Sequence, residues 1–114
     1  MKKVTHVYLT AIVAGVMAVG LATAGPADAK VEGDKIILGS AISFTGKYST
    51  NGIHASNGYN LAVKKINEAG GVKVGGKSYM LEVKYYDDES TPARGAQLAE
   101  RLIKQDGIQF MLGP

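Results

Sequence analysis

The stretch Lys35-Ile36-Ile37-Leu38-Gly39-Ser40-Ala41-Ile42 constrains the fold more than any other part of this chain. It is a continuous apolar run rich in branched residues, with no polar alternation. A strand of that kind is buried on both faces, and so belongs to a parallel sheet covered by helices. The next segment changes period. From Gly52 to Ala69, Tyr59, Ala62, Val63 and Ile66 recur at helical spacing, with Asn60, Lys64 and Glu68 on the opposite side. That is an amphipathic helix, stopped by Gly70-Gly71. Gly75-Gly76 then predicts a tight turn between Val72-Lys73-Val74 and a strand entered through Lys77-Ser78-Tyr79.

Tyr79 to Tyr86 alternates, with Tyr79, Leu81, Val83 and Tyr85 on one face and Met80, Glu82, Lys84 and Tyr86 on the other. A half-polar strand fits near a sheet edge. Thr91-Pro92 opens a second helix, with a capping hydroxyl and proline at the first helical position. Its buried stripe is Leu98, Ala99, Leu102 and Ile103, and Glu100 and Lys104 form an i,i+4 pair. Gly95, inside this helix, predicts a close backbone contact. Gly107 ends the helix, and Ile108 to Leu112 forms a third strand. The succession is a βαβαβ unit with right-handed crossovers. The polar strand at the edge gives an α/β fold with a parallel sheet of order 2-1-3. Ligands of such sheets bind beyond the carboxyl ends of the strands, where the order reverses. The expected crevice therefore lies between the first and third strands, at the loop Ser43 to Asn51.

The amino-terminal residues form a separate unit. Lys2 and Lys3 precede an apolar run from Val7 to Ala24, followed by Pro26 and the small-residue site Ala27-Asp28-Ala29. This is the layout of a secretory signal peptide over residues 1–29, with cleavage after Ala29 favoured over a membrane span. With no cysteine in the chain, neither a lipid anchor nor a disulfide is available. Of 13 Lys and Arg and 10 Asp and Glu, removing Lys2, Lys3 and Asp28 leaves 11 and 9. That balance points away from nucleic acid or a membrane surface. The chain stops on the apolar run Phe110-Met111-Leu112-Gly113-Pro114, which suggests a fragment of a longer protein.

Asp87-Asp88-Glu89 is the most acidic cluster, yet its spacing is not that of a calcium loop. No cysteine or second mature histidine is present for zinc. The expectation is of solvated carboxylates near a helix N-terminus, one strand away from the crevice, with no metal and no catalytic role. A dinucleotide fold would place an acid at Asp87, but the required glycine-rich turn is missing after the first strand. Gly39 to Gly46-Lys47 is likewise not a phosphate loop. His54 has no apparent partner, and no nucleophile, base and orienting group can be assembled. The remaining candidate is Ser43-Phe44-Thr45-Gly46-Lys47-Tyr48-Ser49-Thr50-Asn51-Gly52. It is either an ordinary polar loop or one whose hydroxyls, amide and helix N-terminus suit a small anionic or zwitterionic ligand.

The segments "KIILGSAISFTGKYSTNG", "NGYNLAVKKINEAGGV", "YYDDESTPARGAQLAERLI" and "FMLGP", in that order, resemble the substrate-binding proteins of ABC importers for branched-chain amino acids, the leucine/isoleucine/valine-binding type. The resemblance covers nearly all of residues 35–114. It implies a type I periplasmic binding protein fold, two α/β lobes closing on a ligand, with residues 30–114 as the N-terminal part of lobe I. It gives the acid pair, Pro92 and Leu102-Ile103 an architectural role. It also implies a periplasmic, non-enzymatic and monomeric protein without a cofactor, which delivers a small organic ligand to an inner-membrane ABC permease. A sensor domain of the same fold is the alternative. Many members carry tyrosine just before the helix-starting glycine, where this chain has Asn51, with Tyr48 three residues earlier. The ligand-binding residues expected on this basis are Tyr48, Ser49 and Asn51. The ligand is an amino acid, an amide or a small aromatic acid.

Overall fold

The computed structural model describes residues 30–113; the expected signal peptide, residues 1–29, lies outside them. The chain order is β1 (Val31–Glu32), β2 (Lys35–Ile42), α1 (Ser49–Glu68), β3 (Val72–Val74), β4 (Lys77–Asp87) and α2 (Pro92–Lys104). The strands form one sheet in the order β1-β2-β4-β3. β2 and β4 pair in parallel from Lys35 opposite Met80 to Ile42 opposite Asp87. On the other edge of β2, Met111 makes a parallel bridge to Gly39. There the Gly39 N–H donates to Phe110 O (3.0 Å) and the Leu112 N–H to Gly39 O (2.8 Å). The predicted order 2-1-3 is thus β4, β2 and residues 110–112.

Two features differ from expectation. The third strand is shorter, because the Ile108 N–H donates to Leu102 O (2.8 Å) at the end of α2 instead of to β2. Gly107, at φ 68°, makes that turn. A short strand, β1, absent from the expectation, pairs antiparallel with the start of β2, and the Gly33-Asp34 dipeptide makes the hairpin turn between them. The Gly75-Gly76 turn is as expected, with both residues at positive φ and β3 paired to β4 from Val72 opposite Tyr79.

On one face of β2 the core gathers Ile37, Leu102 and Ile108, with Ala41 and Tyr86 against them. Gly39 permits this packing: a Cβ there would stand 2.9 Å from Ile108 Cγ2 and 3.3 Å from Leu102 Cδ2. Ile103, expected in the buried stripe, is 53 % exposed. It follows Leu102 by one residue, a 100° step that takes it off the sheet side.

α1 lies on the opposite face and packs through a narrower stripe than its apolar residues suggested. Gly52 and Ser56 are buried, Tyr59 and Val63 half-buried, while Ala62 and Ile66 are exposed. The helix sits close because its contact residues are small. At the far end, Asn67 uses its side-chain amide as a strand: Nδ2 donates to Leu81 O (2.9 Å) and Oδ1 accepts from the Leu81 N–H (2.8 Å). This covers β4 just beyond the short β3 and blunts a free edge.

Two glycines define opposite constraints. A Cβ on Gly52 would collide with the Ser43 carbonyl, so the first turn of α1 rests directly on the end of β2. A Cβ on Gly95 would meet Asp88 Oδ2 at 3.6 Å and Asp88 Cβ at 3.7 Å, ordinary contact distances; the close backbone approach expected at Gly95 is absent. Gly52→Ala should therefore destabilise the full-length protein by about 1–3 kcal/mol or more through overpacking. Gly95→Ala should raise stability by up to about 1 kcal/mol through helix propensity. Urea unfolding of both variants checks the opposite signs.

Candidate functional site

β2, β4 and residues 110–112 run in parallel, so their carboxyl ends meet at one rim of the sheet. An open cleft of about 830 Å³ lies there. Its apolar wall includes Ile42, Ala96, Ala99, Met111 and Leu112, and its polar groups include Ser43, Tyr48, Asn51, Asp88 and Ser90. The size and the mix of apolar wall with few polar groups suit a small organic molecule.

The acidic segment is closer to this cleft than its position beyond β4 implied. Asp88 is buried, with 9 % exposure, and lines the cleft. Its Oδ1 accepts the Ser43 hydroxyl (2.6 Å) and the Ser90 N–H (2.8 Å). Asp87 Oδ1 accepts the N–H groups of Phe44 (2.9 Å), Thr45 (3.2 Å) and Glu89 (2.9 Å), and Oδ2 accepts the Thr45 hydroxyl (2.8 Å). The two carboxylates therefore strap the loop after β2 to the loop after β4. They are architectural, as expected, but they bind donors from 42 to 45 residues away instead of being solvated.

The strap extends through Ser90. Its hydroxyl donates to Thr45 O (2.7 Å) and accepts the Tyr48 N–H (3.0 Å), fixing the chain just before α1. Glu89 and Ser90 both hold positive φ, 54° and 59°, a conformation that costs a non-glycine residue about 1–2 kcal/mol. The bonds from their N–H groups to Asp87 and Asp88 offset that cost. The hydroxyl of Thr91, expected to cap α2, reaches back to Glu89 O (3.3 Å), while Pro92 takes the first helical position as expected.

The loop expected over Ser43 to Asn51 is shorter, because helix α1 begins at Ser49. Gly46, at φ 82°, turns the chain so that the Ser49 N–H donates to Gly46 O (3.2 Å). Tyr48 precedes the helix with no side-chain cap; the tether comes from Ser90 instead, which local spacing could not reveal. Tyr48 and Asn51 both line the cleft, whereas Ser49, on the same turn, is outside its lining. The Tyr48 ring is 47 % exposed, with Lys47 Nζ 4.6 Å from its centroid. His54 is exposed on α1 and away from the cleft. Among the described residues, no three acidic or histidine side chains gather as a metal site, and no helix is long and apolar enough to cross a membrane.

A parallel sheet with a mostly apolar cleft at its carboxyl rim is the architecture of a small-molecule-binding lobe. The chain belongs to the periplasmic binding protein family, whose pattern it matches over residues 35–114. It is 33 % identical over 105 residues to Leu/Ile/Val-binding protein homolog 3 of Brucella melitensis, covering 92 % of this chain and 25 % of that protein. It is 31 % identical over 93 residues to the leucine-, isoleucine-, valine-, threonine- and alanine-binding protein of Pseudomonas aeruginosa, covering 82 % and 24 %. Among solved structures it resembles the branched-chain amino acid transporter substrate-binding protein LivJ of Streptococcus pneumoniae in complex with isoleucine. That match has TM-score 0.62 and 31 % identity, and covers 70 % of this chain and 22 % of the other. A solute-binding protein of an ABC transporter from Rhodopseudomonas palustris, in complex with 3,4-dihydroxybenzoic acid, matches with TM-score 0.55 and 28 % identity over 68 % and 20 % of the two chains. The chain thus spans about a quarter of the length of these curated relatives, and its sheet and helices are part of a type I periplasmic binding fold.

Burial of the Asp87 carboxyl pushes its pKa upward, but the Glu89 N–H, the Thr45 hydroxyl and the N–H groups of Phe44 and Thr45 outweigh it. The net value lies below the ordinary 3.8. A depressed folded-state pKa contributes stability above the unfolded value, and that contribution is lost as pH falls through the folded value. Stability of the full-length protein should therefore decline below about pH 4, and Asp87→Asn should flatten that part of the profile. Urea midpoints of both proteins between pH 2 and pH 7, roughly spanning the carboxylate range, check this.

Proposed function

We propose that this chain belongs to the solute-binding component of an ABC importer, which captures an amino acid or a related small organic ligand and delivers it to an inner-membrane permease. The observation that carries the reading is the cleft at the carboxyl rim, walled by Ile42, Ala96, Ala99 and Met111 and edged by Tyr48, Asn51 and Asp88. Family membership supports it, as do the isoleucine and dihydroxybenzoate complexes of the structural relatives. Residues 30–114 form the first part of lobe I, and a second lobe closes over the ligand. Residues 1–29 direct export to the periplasm, and no cysteine stands at the expected cleavage site to carry a lipid. The protein acts by binding and release, with no catalysed reaction.

Of the three residues singled out in the sequence, Tyr48 and Asn51 contact the ligand, and Ser49 holds its place in the first turn beside them. A thermal-shift panel of common amino acids, amides and aromatic acids on the full-length mature protein tests the reading. A ligand at a hundred times its Kd stabilises the folded state by about 2.7 kcal/mol, so at least one clear shift is expected; none from a well-folded protein contradicts it. With the ligand found, Tyr48→Ala and Asn51→Ala should each weaken binding about tenfold or more, an effect typical of an interface residue worth over 1 kcal/mol. Ser49→Ala should stay within about twofold, as for a residue outside the contact surface. Calorimetric titration of the three variants measures both.

A further inference from the structure

We infer that Tyr59 is a positioning residue of the cleft: its hydroxyl ties the main chain at Gly113 to α1, and this tether keeps the rim in its binding form. The inference rests on the solute-binding reading and deepens it. Three stretches of chain leave the sheet at the rim, after β2, after β4 and after residues 110–112. The first two are joined to each other by Asp87, Asp88 and Ser90. The third takes no part in that strap. Among the described residues, its last main-chain bond to β2 runs from the Leu112 N–H to Gly39 O (2.8 Å). One residue further, the Tyr59 hydroxyl donates to Gly113 O (2.8 Å), across 54 residues of sequence.

Packing does not fix Gly113. It is exposed, and a Cβ added there would meet no heavy atom within 4 Å. Among the described residues the Tyr59 hydroxyl is the one hydrogen-bond partner of its carbonyl. Yet Gly113 lines the cleft with Met111 and Leu112, whereas Tyr59 stays outside the lining. Tyr59 is half-buried on the stripe of α1 that carries the buried Gly52 and Ser56. Tyrosine suits the task, because a rigid ring with two rotatable bonds carries its hydroxyl far from the helix at small entropic cost. α1 thereby touches all three exits. Its start takes the strap through the Tyr48 N–H, and its first turn rests on the Ser43 carbonyl at Gly52. Tyr59, about 12 Å along the axis from Asn51, holds the third exit.

A site whose binding form is only partly populated binds more weakly by that fraction. Without the hydroxyl, Gly113 leaves its place for part of the time, and a solute meets a competent rim less often. Association slows, while dissociation from the formed complex changes little. A residue that touches the solute acts mainly on dissociation instead.

The test is Tyr59→Phe in the full-length protein, which keeps the ring and removes the hydroxyl. Leucine is the probe, or the solute of the panel with the largest thermal shift where leucine gives none. Stopped-flow binding should show Kd raised about threefold to tenfold, the worth of one neutral hydrogen bond. The loss should lie in kon, with koff within about twofold of the wild type. A thermal melt without solute separates stability from affinity. An unchanged Kd, with or without a lower Tm, overturns the inference and leaves the solute-binding reading intact, and so does a loss carried by koff. If the variant does not fold, crystal structures of the wild type with and without the same solute decide. Tyr59 Oη within about 3.0 Å of Gly113 O in both supports the inference, and a bond missing from either overturns it. No response to any solute of the panel overturns the solute-binding reading, and the inference with it.

Discussion

Asp87 and Asp88 close a gap that the chain cannot close locally. β4 lies on one edge of β2 and residues 110–112 on the other, so right-handed crossovers send the loop after β2 toward α1 on one face of the sheet and the loop after β4 toward α2 on the opposite face. The two carboxylates accept from Ser43, Phe44 and Thr45 on one loop and from Glu89 and Ser90 on the other. Ser90 adds the bond that holds the Tyr48 N–H. α1 has no side-chain cap of its own, and these bonds hold its start and Asp88 at the same rim of the cleft. The dependence also explains why Glu89 and Ser90 tolerate a left-handed backbone: the carboxylates that join the loops also stabilise that turn.

Much of the architecture was legible because it depends on periodicity and on glycine. The unbroken run Lys35–Ile42, the alternation of Tyr79 to Tyr86 and the Gly75-Gly76 turn fix strand identity, and Pro92 fixes the start of α2. What was hidden depends on residues distant in sequence. The start of α1 at Ser49 is set by Gly46 and Ser90, not by a local cap. The core-facing stripe of α1 runs through Gly52, Ser56 and Asn67, residues whose polarity or small size suggests no burial. Gly52 reads as a helix start, yet its real constraint is the Ser43 carbonyl against it.

The site follows the same division. The loop's composition and the family pattern point to Tyr48, Ser49 and Asn51, of which Tyr48 and Asn51 line the cleft and Ser49 does not. By sequence Asp88 reads as a solvated carboxylate one strand away from the crevice, because sequence order says nothing of the Ser43 hydroxyl that draws its side chain inward. Asp88 joins the two loops and is also the one charged side chain among the described residues that line the cleft.

The most direct test of this account is hydrogen exchange on the full-length protein, with and without the amino acid that gives the largest thermal shift. The strap makes the start of α1 and the β4–α2 junction one unit at the rim of the cleft, where the proposed ligand is held. Residues 45–52 and 88–92 should therefore gain protection together on binding. Protection confined to other parts of the protein, with both segments unchanged, would contradict the placement of the ligand in this cleft.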